Sequence, residues 1–142
     1  MNEILTVLLR VAGGGLILLA LVHIFIAQQL KWKEQAKLMS PENAQIFLVH
    51  AFFICLVLAM MGLPCVFAPE IFLERSQAGL WLSVSFASFW ALRLYFQFFV
   101  YRGDLWRGKT QETRLHWFFS VVWLGLVLVF GTCGAIQIGW LR

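Results

Sequence analysis

The chain has 142 residues, of which 61% are hydrophobic and 13% charged, with a formal net charge of +4 and a mean hydropathy of +0.82. A soluble domain carries about 25% charged residues, so this composition excludes an ordinary water-soluble enzyme and points to an all-α integral membrane protein. The positive charge lies in short clusters between apolar blocks, where it reads as a topology signal with some attraction to anionic lipid headgroups, and nothing in it suggests nucleic acid.

Four apolar blocks are expected to cross the membrane, at 4–29, 44–67, 79–101 and 115–140. Each is close to the roughly 20 residues that span about 30 Å of hydrocarbon. Helices are expected because a backbone in lipid must satisfy its own hydrogen bonds, and the alternation of a barrel strand is missing. Glu3 ahead of the first block, Arg10 inside it and the length of its apolar run distinguish it from a signal peptide. The stretch 31–39 is expected to continue this first helix into the headgroup region. Ser40 and Pro41 then form a helix start, as N-cap and first helical residue. Pro64 is expected to kink or end the second helix.

Short links favour antiparallel neighbours and hence a single domain, an up-down bundle of four transmembrane helices. The runs at Gly13, Gly14 and Gly15 and from Gly131 to Ala135 suit close helix packing. Basic residues concentrate on one side, with Lys31, Lys33 and Lys37 in the first link and Arg102, Arg107, Lys109 and Arg114 in the third. The other side has Arg10, Arg75 and Arg142. By the positive-inside rule the basic links face the cytoplasm and both termini lie on the non-cytoplasmic side. Trp32, Tyr101, Trp106 and Trp117 mark one interface, and Trp81 and Trp140 the other.

The histidines within the blocks all belong to the cytoplasmic half, and Arg10 is the one charged residue near the apolar core of the outer half. His23, His50, Arg93, Gln97 and His116 lie in the cytoplasmic half, and helical spacing groups them into stripes. One stripe is Trp90, Arg93, Gln97 and Tyr101, and another is Glu112, His116, Ser120 and Trp123. His23 follows Ala20 and Leu16 on a face of mostly small residues, while Asn43 and His50 are nearly eclipsed. Polar groups in a span avoid lipid, so the stripes are expected to converge on one pocket. Arg93 is eight or nine residues inside Arg102, a depth of roughly 12 Å. The seven acidic residues all lie outside the apolar blocks or at their ends. A guanidinium keeps its proton, so Arg93 requires Glu112 or Asp104 folded inward, backbone carbonyls, or an anionic group bound from the cytoplasmic side.

Several ligands suit this set. A b-type haem takes histidines as axial ligands and Arg93 for a propionate. A metal ion takes His23, His50 and His116. A quinone offers carbonyl acceptors, and a lipid offers its phosphate. The 14 Phe, 7 Trp and 2 Tyr are enough to wall an apolar ligand. An accessory or assembly subunit of a larger membrane complex, or a homo-oligomer, is the competing expectation. No catalytic signature is present: the histidines are not in the paired boxes of di-iron enzymes, the cysteines form no CxxC, and no phosphate loop or embedded acid occurs.

Overall fold

A computed structural model describes residues 2–29 and 31–141; Arg142, expected among the outer basic residues, lies outside them. Every regular element among the described residues is helical. In chain order they are α1 (Asn2–Gln29), α2 (Trp32–Ala36), α3 (Pro41–Phe67), α4 (Glu70–Leu73), α5 (Gln77–Tyr95) and α6 (Thr110–Gln137), with a π-helical turn at Phe96–Val100 and a 3₁₀ turn at Gly103–Leu105.

Three of these, Glu3–Phe25 within α1, α3 and α6, are long and apolar enough to cross a membrane. Their outward faces carry exposed apolar side chains such as Val11, Phe52 and Val121. Such a surface would aggregate in water but needs no cover in lipid. The third apolar block is divided: α5 contains Ser83, Ser85, Ser88 and Arg93, and the π turn takes over at Phe96.

The chain forms two compact units, Val7–Pro69 and Glu70 onward, the latter joined by the chain start up to Thr6. In the first, α1 and α3 are antiparallel and meet at glycines. A Cβ placed on Gly13 would lie 2.6 Å from the Gly62 carbonyl oxygen, and one on Gly62 2.7 Å from that of Gly13. Lipid supplies no hydrophobic drive between helices, so this backbone approach and the dispersion it permits hold the pair. Ser40 caps α3, accepting from the Asn43 amide at 3.5 Å, with Pro41 in the first turn. Pro64 does not stop the helix at once. The helix runs on to Phe67, because a proline ring removes one backbone hydrogen bond to the preceding turn and leaves the following ones intact.

The stretch after α1 departs from expectation. Lys31 adopts the left-handed conformation (φ 51°, ψ 43°), and α2 is a separate short helix. A single left-handed residue costs about 1–2 kcal/mol and interrupts the helical path, so 31–39 is not a continuation of α1. The turn sets Trp32 edge-on to Phe47, with centroids 5.3 Å apart.

The second unit is an antiparallel hairpin of α5 and α6 closed at one end by α4. Phe72, Phe86 and Phe130 interlock with centroids 5.1–5.8 Å apart. Beside them the buried Gln137 accepts from the Ser76 amide (2.8 Å) and donates to the Phe72 and Glu74 carbonyls (2.9 Å each). One side chain thereby satisfies three backbone groups of the turn between α4 and α5. Ser76 caps α5, accepting from the Gly79 amide at 2.9 Å. Between Leu80, Val84, Phe130 and Gly134 lies an apolar groove of about 260 Å³.

Candidate functional site

The site lies at the other end of the α5–α6 hairpin. Its core is the parallel stack of Trp90 on Trp123, with centroids 4.7 Å apart and planes 15° apart, extended by Phe119, which stacks on Trp123 at 5.3 Å. Trp90 and Trp123 are both buried, as the two stripes require.

Arg93 stands one turn from Trp90 and is half-buried. Its guanidinium lies over the rings of Tyr101 (5.2 Å) and Trp123 (5.4 Å) and donates to Gln97 Oε1 at 3.2 Å. The carboxylates proposed to fold inward do not do so. Asp104 is exposed and takes two hydrogen bonds from Arg102, at 3.2 and 3.0 Å, and Glu112 is exposed. Among the described residues Arg93 has no carboxylate partner. Two aromatic faces and one amide oxygen hold a full charge.

Gln97 lies in the π turn, where the Tyr101 amide donates to the Phe96 carbonyl at 3.1 Å. The wider turn carries Gln97 towards α6, where its side chain is 6% exposed. Its Nε2 is 3.2 Å from His116 Nδ1 and donates to the His116 carbonyl at 3.3 Å, which also accepts from Ser120 Oγ at 2.7 Å. Arg93, Gln97 and His116 therefore form one hydrogen-bonded row across the hairpin.

His116 is 7% exposed. Trp106 lies flat against its ring, with centroids 4.1 Å apart and planes 10° apart, and Phe98 meets its edge at 5.8 Å. The link from α5 to α6 folds to deliver that indole. The Trp106 and Arg107 amides donate back to the Gly103 carbonyl, Gly108 takes a positive φ of 78°, and Thr113 Oγ1 donates to the Trp106 carbonyl at 2.6 Å. Four ring nitrogens are buried without a hydrogen-bond partner among the described residues: Trp90 Nε1, Trp106 Nε1, Trp123 Nε1 and His116 Nε2. A buried donor left unpaired costs about 1–3 kcal/mol, so each of these nitrogens that carries a hydrogen is suited to an acceptor.

The other two histidines belong to the Val7–Pro69 unit. His23 Nδ1 is 2.7 Å from the Leu19 carbonyl and His50 Nδ1 is 2.8 Å from the Ile46 carbonyl, so each ring closes on its own helix, His23 partly buried and His50 exposed. Among the described residues no three His, Cys, Asp or Glu side chains gather as a metal site. Cys65 and Cys133 are both buried, and Cys65 Sγ donates to the Met61 carbonyl at 3.2 Å.

Trp106 was legible in the sequence only as an interface residue. Its place against His116 depends on Gly103 and Gly108 shaping the link, a signal too weak to single out one tryptophan of 7. Comparison with known proteins gives no match, whether by family model, by curated sequence or by solved structure.

Proposed function

We propose that this chain is a multi-pass membrane protein of four crossings whose cytoplasmic end holds a redox cofactor or other apolar ligand against Arg93, Gln97 and His116. The third crossing is α5 continued through the π turn, 19 residues followed by 5, roughly 36 Å at the rise of an α-helix. The basic links after α1 and after the π turn put that end in the cytoplasm and both termini on the opposite side. One observation carries the ligand: a guanidinium inside an apolar hairpin whose partners are an amide oxygen and two aromatic faces, with no carboxylate partner among the described residues. An intramembrane charge is costly and persists where it has work to do.

The test is to purify the full chain in mild detergent, record its absorption spectrum and metal content, and identify extracted small molecules by mass spectrometry. A stoichiometric compound that is lost in Arg93→Gln while the protein stays folded supports the site. A colourless, ligand-free protein that copurifies stoichiometrically with other membrane proteins refutes it and makes the chain an accessory or assembly subunit.

A further inference from the structure

The three histidines divide into two tautomers, and the division names the ligand chemistry. A backbone carbonyl only accepts, so His23 and His50, set against the Leu19 and Ile46 carbonyls, carry their protons on Nδ1. His116 is the reverse. A guanidinium only donates, so the Gln97 oxygen must face Arg93 and the Gln97 amide nitrogen must face His116. That nitrogen has only hydrogens to offer, so His116 Nδ1 is the acceptor. The ring is then neutral with its proton on Nε2, the atom that is buried without a partner.

We infer that His116 presents an Nε2–H donor to an oxygen acceptor on a membrane amphiphile, a quinone carbonyl or a lipid phosphate, and that Gln97 is the positioning residue that prevents the ring from ligating a metal or haem iron. Ligation through Nε2 needs the lone pair there and the proton on Nδ1. A proton on Nδ1 would confront the Gln97 amide hydrogens. Rotating the amide to receive it would point the same hydrogens at Arg93. Either arrangement sets donor against donor. The Nε2–H of His116 and the indole N–H of the Trp106 stacked on it are therefore matched to oxygen. His116 does not fit the axial or metal ligand expected from sequence.

This inference rests on the proposed ligand site, and the experiment separates the two. The full chain, with ¹⁵N-labelled histidine in lipid nanodiscs, is titrated with a short-chain benzoquinone and, separately, with short-chain phosphatidylglycerol; binding is measured in parallel by equilibrium dialysis. Expected are two Nδ1–H histidines and one Nε2–H histidine, the latter assigned to His116 by its loss in His116→Phe, with the Nε2–H resonance shifting on addition of one probe. The probe that moves it identifies carbonyl or phosphate as the source. In Gln97→Glu the carboxylate accepts from both Arg93 and His116, so the ring changes to Nδ1–H and affinity for that probe falls roughly tenfold. An Nδ1–H or metal-bound His116 in the wild type overturns the inference without any variant and leaves the ligand site standing. A probe that binds without moving Nε2–H overturns it too. If neither probe binds, both the inference and the amphiphile site fall.

Discussion

Trp106 lies flat on His116, with ring centroids 4.1 Å apart and planes 10° apart, although nine residues of link and helix separate them. Offset aromatic pairs contribute about 0.5–1.5 kcal/mol beyond their buried area. Trp106→Ala is expected to lower the stability of the purified protein by about 1–2 kcal/mol in thermal unfolding. Trp106→Phe should recover most of that loss while remaining impaired in ligand binding, since it keeps a ring and removes the N–H. Equal ligand affinity in Trp106→Phe and wild type would exclude the indole N–H from the site.

The Arg93 and Gln97 positions separate function from stability. Arg93→Leu removes a charge with no carboxylate partner, so the folded protein is expected to change by less than about 1 kcal/mol while ligand affinity collapses. Gln97→Leu strips acceptor and donors from between two polar groups and is expected to cost about 1–3 kcal/mol. Chemical denaturation of the two variants beside wild type checks the order. Arg93→Leu unfolding more easily than Gln97→Leu would contradict it.

At the far end of the hairpin, Gln137 holds three backbone groups, at Phe72, Glu74 and Ser76. Gln137→Leu leaves them unpaired beside the buried Phe72 and Phe130, at an expected cost of about 2–4 kcal/mol. Amide exchange at Ser76 should rise well before that of α6. Gln137→Glu keeps the acceptor for Ser76 but gives up both donated bonds, so its loss should be comparable.

Two neighbouring glycines give opposite outcomes. Gly13→Ala drives a methyl against Gly62 O at 2.6 Å and Cys65 Cβ at 2.7 Å, whereas Gly14→Ala meets nothing within 4 Å. The first is expected to cost about 1–3 kcal/mol through displaced helices. The second should be neutral or slightly stabilising, because alanine is the better helix former by about 1 kcal/mol. Melting temperatures in one detergent decide it.

In the proposed four-crossing arrangement the first and third links lie on one side of the membrane. Lys33→Cys and Lys109→Cys are expected to react with an impermeant maleimide only from the cytoplasmic side, and Glu74→Cys only from the other. Labelling of Lys109→Cys and Glu74→Cys from the same face would mean that the stretch from Gln77 to Val100 does not cross.

The apolar blocks, the basic links, the Ser40–Pro41 helix start and the stripes holding Trp90, Arg93, His116 and Trp123 can all be read directly from the chain. Each depends on run length, local charge or a repeat of three to four residues, which neighbours in sequence settle among themselves. The left-handed turn at Lys31 escaped because no glycine or proline announces it. The roles of Gln97, His116, Trp106 and Gln137 were decided only by the fold. Gln97 meets His116 19 residues away and Gln137 meets Phe72 65 residues away, so the direction in which each amide donates is set by partners that only helix packing brings within reach. The same holds for the proton on His116: its position follows from a guanidinium on α5 acting through one amide, a constraint that exists only once the hairpin has closed.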